Sequence, residues 1–393
     1  MKKKDHLYIY GLFFGWRILL FMAAFLAGII IPVFGSRFPY WDRVLTITNL
    51  PNWIWGFGNF DGVHYLKIAQ NGYSSNLSQA FFPLYPYLIK FFNIFPKNKD
   101  LDLQMFVDPS YFYTAMILSA VFFILALYFL VKLWRENYNS KTALLSILLL
   151  CSFPTAFYFG AVYSESLLLL LIVLTFWFAK KGKFFWAGVT AALASITKIQ
   201  GVLLFVFLAI ELFIRYRKEK LRFSKKMLLD FIGVLLSPFG LISYMFYLQK
   251  STGDPLFFLS AQPGFGAERS ALPIILMPQV IYRYLKIFFS VNFFSLSFFN
   301  AFLEFSMTIA VIAILIITFK KMRFSYWIFS VLVVILPTLT GTLSSMPRYV
   351  LMAFMVIPFL AERFNKSVRY IIIVQSLLQA ILLGLFIRGY WIS

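Results

Sequence analysis

The chain alternates between long apolar runs and short polar intervals, and many of the runs have the length of a membrane-spanning helix. Crossing about 30 Å of hydrocarbon takes roughly 20 helical residues, whereas a strand of an outer-membrane barrel shows about ten residues of alternating polarity. The runs show no such alternation. We therefore predict an all-α polytopic membrane protein with about 11 transmembrane helices, within a range of about 10 to 13. Their approximate ranges are 10–34, 111–131, 142–159, 167–178, 184–196, 202–214, 227–248, 296–319, 326–343, 349–360 and 371–387.

Two long polar intervals separate these runs, at about 35–109 and 249–292. We predict that both are extracytoplasmic, and we expect amphipathic interfacial helices in the first. An apolar stretch at 272–289 is interpreted as interfacial or re-entrant, which leaves the span count open there. The turn 197–201 joins two short runs, so we expect it to lie below the membrane surface in a protein-lined or watery recess. Since no inverted repeat divides the chain, we predict one integral membrane domain over 1–393.

Composition narrows the class of protein. Hydrophobic residues make up 61% of the chain and charged residues only 13%, whereas soluble domains carry about a quarter charged residues. A soluble globular protein and a disordered one are therefore excluded. The net charge is +21, but the basic residues gather in short clusters beside apolar runs, at 2–4, 132–141, 180–183, 215–226, 320–323 and 363–369. This pattern is typical of cytoplasmic loops. It predicts a multi-pass protein of the cell membrane with a cytoplasmic N-terminus and no nucleic-acid partner.

The segment 59–73 is the richest in candidate chemistry. If it is helical, Asp61 and His64 share one face, and Gly72 ends the helix in a glycine-assisted turn. The aromatic, proline-stiffened run 80–86 that follows suits a membrane interface. One interpretation is that the loop positions a carboxylate at the outer membrane surface. The other is an amphipathic loop helix in which Asp61 only caps the N-terminus.

This segment resembles a known family. Asp61-Gly-Val-His64-Tyr-Leu-Lys-Ile-Ala69, Gly72-Tyr73 and Ala80-Phe-Phe-Pro83-Leu-Tyr-Pro86 are similar to the first-loop signature of the PIG-V-type (GPI mannosyltransferase 2-like) mannosyltransferases, and especially of prokaryotic members, within the GT-C glycosyltransferase superfamily. Further similar pieces follow in order at 154–157, 163–166, 194–201, 253–256, 261–262 and 348–349. Two positions depart from the family pattern: Phe60 stands where Trp is usual, and Lys198 where Arg is common. Both keep the aromatic or cationic character.

The resemblance implies a GT-C-like fold and an inverting glycosyltransferase. Such an enzyme moves a sugar, mannose by resemblance, from a polyprenyl-phosphate carrier to a hydroxyl of a lipid-linked or surface glycan acceptor on the extracytoplasmic face. The expected partners are that donor, a glycolipid or glycan acceptor, and membrane lipids. No cofactor is expected to be required, although carboxylate oxygens leave room for a divalent cation.

The resemblance implies roles for three ionisable residues. Asp61 leads the motif and is the hypothesis for the general base that accepts the proton of the acceptor hydroxyl. His64 is expected to orient Asp61 or contact the donor phosphate, with a hydrogen-bonded interfacial histidine as the alternative. Glu165, within Tyr163-Ser-Glu165, is expected with Tyr163 to bind the acceptor or support the base. The alternative for Glu165 is a solvated loop acid. Asp42 is a weaker competitor for the base.

Two cations at outer turns complete the expected site. Lys198 and Arg348 lie between short apolar runs, where a cation meets a lipid phosphate at headgroup depth. Their alternative role is contact with ordinary phospholipid headgroups. Asp254, in Gly253-Asp254-Pro255, is expected to form a turn. The competing function is a lipid-linked sugar flippase or transporter without transferase activity, which predicts polar residues near the centres of several spans.

Overall fold

The computed structural model describes residues 3–36, 40–96, 98, 101–219, 225–266, 268–271 and 274–392. Every regular element in these ranges is a helix, so the all-α prediction is confirmed for them. The chain divides into two compact units, one of residues 1–173 and 360–392 and the other of residues 174–359. The expectation of one membrane domain over 1–393 stays a prediction.

The first unit holds most of the first polar interval. Its helices are α1 (Lys3–Ile30), α2 (Trp41–Val44), α3 (Asn52–Trp55), α4 (Asp61–Asn71), α5 (Leu84–Phe92), α6 (Pro109–Trp134), α7 (Ser140–Ser152), the first half of α8 (Glu165–Lys180) and, after the second unit, α19 (Val368–Ile387). The core is aromatic: Phe123 stacks on Phe159 with ring centroids 4.7 Å apart, and both are buried. Short helices α2 to α5 thus lie where loop helices were predicted.

The second unit contains the second polar interval. Its helices are α9 (Phe184–Ser195), α10 (Leu204–Glu219), α11 (Lys225–Leu236), α12 (Phe239–Thr252), α13 (Phe257–Ser260), α14 (Met277–Ser290), α15 (Leu296–Thr318), α16 (Phe324–Thr338), α17 (Met346–Tyr349) and the start of α18 (Ile357–Arg363). Phe176 and Phe207 stack at 3.9 Å in its core. On α14 Val280 and Tyr284 are buried, whereas Tyr282 and Phe289 are exposed, so this helix is amphipathic.

The predicted count of about 11 spans is not confirmed. By length and composition, five helical stretches in the described ranges can cross a membrane, or six if a pair bent by 42° forms one span. The five are Lys4–Ile30, Pro109–Trp134, Ile199–Arg217, Leu296–Thr318 and Val368–Ile387, and the bent pair is Lys225–Leu236 with Phe239–Thr252. Several long apolar helices nevertheless make this a multi-pass membrane protein.

Three of the predicted spans are not continuous α-helices, and two of them break at a proline. The run 142–159 is not one helix, because α7 ends at Ser152 and Phe153, before Pro154, is extended. In the run 227–248, the bend lies at Pro238 between α11 and α12. The run 349–360 begins as a 3-10 helix, Val350–Val356, and only Ile357 starts α18. Hydropathy predicts each run as one continuous helix because it depends on composition and not on backbone geometry.

Helices α9 and α11 cross at two glycines in the second unit. A Cβ built on Gly188 would overlap the backbone carbonyl of Gly233, and one built on Gly233 would overlap the carbonyl of Phe184. Small residues let helix backbones approach closely in membrane proteins. Gly188→Ala is therefore expected to destabilise the protein by about 1–3 kcal/mol, because the two backbones must separate.

The measurement is the midpoint of thermal unfolding in detergent, and Gly11→Ala is the matched control. Gly11 lies within α1, and a Cβ there meets no atom within 4 Å. Since alanine is a better helix former than glycine, the control should unfold at the same temperature or slightly higher. Equal midpoints for Gly188→Ala and the unmodified protein would contradict the close crossing.

Candidate functional site

The start of α4 is a strained backbone held by aromatic packing. Phe60, the N-cap residue, has φ +58°, which a residue with a side chain rarely adopts. Its ring packs against Phe386 at 5.6 Å and Trp391 at 5.0 Å. Strain of this kind persists where the surrounding structure over-determines it, and such positions gather at functional sites. The residue that follows this strained position is Asp61.

The hydroxyl of Tyr163 fixes the same helix start. It donates a hydrogen bond to Asn59 O at 2.9 Å and accepts one from Asp61 N at 3.2 Å. Asn59 is held in turn, since its side-chain amide donates to Phe386 O at 2.9 Å. One of the unpaired N–H groups at the helix start is thereby satisfied. Because the Tyr163 hydroxyl bonds the backbone on either side of Phe60, the geometry favours a positioning role over the predicted contact with substrate.

The predicted helix over this segment is confirmed. α4 runs Asp61–Asn71 and ends at Gly72, whose φ is +68°. Asp61 and His64 therefore lie one turn apart on one face, as expected. The N-cap position belongs to Phe60, so Asp61 is the first helical residue and not the cap. Its side chain is half-buried, which leaves the carboxylate within reach of a substrate hydroxyl.

Glu165 is buried at the start of α8. Its exposed fraction is 1%, so the alternative of a solvated loop acid is wrong. The preceding Ser164 hydroxyl shares a hydrogen bond of 3.1 Å with Tyr65 on α4, which ties this turn to the loop helix. Burial raises the pKa of Tyr85, and the nearby Glu165 carboxylate adds to the increase. A buried carboxylate beside the loop helices fits a role in supporting the base.

His64 is a neutral imidazole stacked on an aromatic ring. It is 8% exposed and lies over Phe81 with ring centroids 4.6 Å apart. Burial lowers its pKa from 6.5 to about 4; the charge of Lys67 lowers it further, and that of Asp61 opposes both. A neutral imidazole at pH 7 supplies hydrogen bonds and no positive charge. Contact with a donor phosphate through charge is therefore disfavoured, and orientation of Asp61 is favoured.

This shift makes the stability of the protein depend on pH. The unfolded chain binds the proton of His64 more tightly than the folded one, because its pKa there is the ordinary 6.5 and not about 4. The contribution to stability is complete above pH 6.5 and is lost as the pH falls toward 4, by up to ~3 kcal/mol. His64→Gln should remove this loss. The measurement is the fall in thermal midpoint between pH 7.5 and pH 5, and equal falls in both proteins would contradict it.

A cavity of about 420 Å³ opens beside α4 in the first unit. His64, Lys67 and Asn71 contribute from the helix, and the remaining lining comes from the segments before and after it. The full lining is Tyr40, Arg43, Val44, His64, Lys67, Asn71, Ser74, Ser75, Asn76, Gln104, Met105 and Val107. A volume of this size is in the range of small-molecule sites.

In the second unit, the two predicted cations converge on one phenol. The Lys198 ammonium lies 5.2 Å from the ring centroid of Tyr349, and the Arg348 guanidinium lies 5.5 Å from it. Arg269 is a third cation whose charge acts on the same phenol. Arg348 is 4% exposed. We name Lys198, Arg269 and Arg348 the cation cluster.

Arg269 is the residue of the cation cluster that sequence reasoning missed. Its guanidinium donates to Gln262 Oε1 at 3.2 Å and to Ser344 Oγ at 3.4 Å. Gln262 lies in one of the segments that resemble the family. That resemblance is the sequence signal that lies nearest to Arg269 in the structure. Arg269 itself follows a glycine-containing loop and carries no local pattern.

The turn that leads into Arg348 is held by a buried tyrosine. Tyr284, on α14, donates to the Glu304 carboxylate and accepts a hydrogen bond of 3.0 Å from Leu343 N. Thr342 Oγ1 lies 3.3 Å from the same hydroxyl. These contacts join the amphipathic helix of the second polar interval to the segment just before α17. The position of Arg348 therefore depends on α14 and α15.

The structure also shows the surroundings of two further acids that the sequence analysis considered. Asp254 accepts hydrogen bonds from Leu256 N at 2.8 Å and Ser260 Oγ at 2.7 Å, so its predicted role as a turn former is confirmed. Asp42 is exposed on the short helix α2. Among the described residues, no three His, Cys, Asp or Glu side chains gather as metal ligands would. That no cofactor is required stays a prediction.

The fold and the loop helix together define a polytopic membrane protein with a carboxylate at the start of a short helix. Comparison with known families identifies the group: the mannosyltransferase (PIG-V) family model matches residues 16–382. The chain belongs to this family.

This chain matches only part of the length of each similar protein. GPI mannosyltransferase 2 from Drosophila pseudoobscura pseudoobscura is 26% identical over 138 residues, which are 34% of this chain and 28% of the fly protein. Among solved structures, the Archaeoglobus fulgidus oligosaccharyltransferase tethered with an acceptor peptide has a TM-score of 0.45 at 14% identity, covering 99% of this chain and 56% of that one. Its apo form has a TM-score of 0.43 at 14% identity, covering 95% of this chain and 56% of that one.

Proposed function

We propose that this chain transfers mannose from a polyprenyl-phosphate carrier to a hydroxyl of a lipid-linked or surface glycan acceptor on the extracytoplasmic face of the cell membrane. The observation that carries the proposal is the position of Asp61 in a chain that belongs to the mannosyltransferase (PIG-V) family. Its helix start is fixed by Phe60 and Tyr163, while the carboxylate itself is half-buried.

The proposed step is a single displacement at the anomeric carbon. The acceptor oxygen forms the new bond to that carbon while the bond from the carbon to the phosphate oxygen breaks. The bonding electron pair leaves with the carrier phosphate, and the hydroxyl proton passes to the Asp61 carboxylate. Because the acceptor attacks opposite the leaving phosphate, the anomeric configuration inverts.

The leaving phosphate requires positive charge near it. The cation cluster of the second unit supplies three cations around one phenol, and the buried Arg348 is among them. In a site of low dielectric such charges stabilise a developing phosphate more than they would in water. These properties support the assignment of the cluster to the carrier phosphate in preference to ordinary lipid headgroups. The basic clusters beside the apolar runs support a cytoplasmic N-terminus.

The test is transfer by the purified protein in lipid nanodiscs. Polyprenyl-phosphate mannose, labelled in the sugar, is offered with membrane glycolipid acceptors, and labelled product is separated by chromatography. Nucleotide-linked mannose serves as the control donor. We expect product with the polyprenyl donor alone. Product only from the nucleotide donor would refute the proposed carrier, and movement of labelled donor across proteoliposomes without any product would favour the flippase.

A further inference from the structure

The lining of the cavity beside α4 is basic and rich in hydrogen-bond donors. Arg43 and Lys67 contribute the charge, and hydroxyl and amide groups come from four neighbouring positions, namely Asn71, Ser74, Ser75 and Asn76. None of the described residues that line it is acidic. Asp42 and Asp102 lie nearby in the sequence, but both are exposed and outside the lining. Such walls match a ligand that is anionic and has several acceptor oxygens.

The two cations are held close enough to repel each other. The Lys67 ammonium sits 3.5 Å from the ring centroid of Tyr40, a contact that fixes its position at the cavity wall. Burial lowers the pKa of Lys67, and the positive charge of Arg43 lowers it further. Arg43 is exposed and Lys67 is half-buried, so both cations can reach a ligand that enters from solvent, and each disfavours the charged form of the other. A bound phosphate would relieve this repulsion.

We propose that this cavity binds a phosphate group of a substrate, with Arg43 and Lys67 as its cationic contacts. The inference rests on the proposed function and extends it. Lys67 lies on α4 six residues after Asp61, an axial rise of about 9 Å, and one turn after His64, which also lines the cavity. A phosphate bound there would contact the helix whose first residue is Asp61. That phosphate belongs either to the acceptor, which leaves the carrier phosphate with the cation cluster, or to the donor carrier, which would move the carrier phosphate from the cluster to this cavity.

The test uses inorganic phosphate as the probe and the full chain in a sugar-free amine-oxide detergent. Binding is followed by calorimetry in a Lys198→Gln background, so that the cation cluster contributes less. Arg43→Gln and Lys67→Gln should each weaken phosphate binding roughly tenfold. Lys90→Gln, an exposed cation on α5 and the matched control, should leave it within about twofold. Equal affinity in the Arg43→Gln Lys67→Gln double variant and its parent would overturn the proposal.

The source of the phosphate is distinguished by displacement. Polyprenyl phosphate displacing the probe from the cavity identifies the carrier, whereas mannose 6-phosphate displacing it alone identifies a phosphorylated acceptor. Displacement by neither would also overturn the proposal. Asp61→Asn separates this inference from the proposed function, because it should abolish transfer and leave phosphate affinity unchanged. Loss of phosphate binding with transfer intact in the cavity variants would show that the cavity binds anions outside the reaction.

Discussion

Asp61→Asn is expected to lower the rate of sugar transfer at least ~10³-fold while the protein stays folded. The substitution removes the basic carboxylate and keeps the size of the side chain. The backbone bond from Asp61 N to the Tyr163 hydroxyl is unaffected, and so is the packing of Phe60 against Phe386. The loss should appear in kcat, since an amide can still bind a hydroxyl but cannot accept its proton. Initial rates at saturating donor measure it.

The control for Asp61 is the competing carboxylate of the same loop region. Asp42→Asn, on exposed α2, should retain the unmodified rate within about twofold. Thermal midpoints of both variants must match that of the parent, so that lost activity is not lost fold. Substantial transfer by Asp61→Asn, or a large loss in Asp42→Asn, would move the base away from α4.

The loop helix is the part of the site that the sequence predicts most completely, since its signals are local. The spacing of Asp61 and His64 predicts one shared face, and Gly72 predicts the end of the helix. The structure confirms both. Lys198 and Arg348 are each expected at an outer turn near a lipid phosphate, and their roles stay predictions. Their approach to one ring is a contact between residues far apart in the chain, which no local pattern shows.

The rest of the site depends on contacts between distant segments. Tyr163 is 102 residues from Asp61, so no local pattern shows that its hydroxyl receives the Asp61 N–H. The positive φ of Phe60 is likewise maintained by aromatic rings near the C-terminus. Arg269, a member of the cation cluster, donates a hydrogen bond to Ser344, 75 positions away in the chain. A single sequence does not contain these pairings, because several folds would satisfy the same hydrophobic pattern.

The span count is unconfirmed for a different reason. Mean hydropathy over a window is insensitive to whether the helix is continuous, so a run broken at Pro154 or Pro238 looks the same as an intact span. The proline positions themselves were visible. They predict breaks by the loss of a backbone donor and by the restriction of the preceding residue. Broken helices within membrane proteins are tolerated where the freed backbone groups find partners in protein.

Arg348→Gln is expected to lower kcat for transfer by ~10²-fold, the second of the two large effects. The guanidinium is buried and lies beside Tyr349, so its charge is poorly screened by water. If it stabilises the departing carrier phosphate, the loss falls mainly on the transition state. Arg348→Lys keeps the charge without the planar fork and should recover part of the rate. Steady-state rates with polyprenyl-phosphate mannose separate kcat from KM.

Lys250→Gln is the matched control for lost charge in the same unit, because Lys250 is exposed near the end of α12. Its rate should equal that of the parent. Lys198→Gln provides a second variant of the cation cluster in case the buried Arg348→Gln fails to fold, and it should also lower kcat. If these residues only bind ordinary phospholipid headgroups, both variants will transfer at the parental rate. A loss confined to the cluster variants assigns stabilisation of the departing carrier phosphate to these cations.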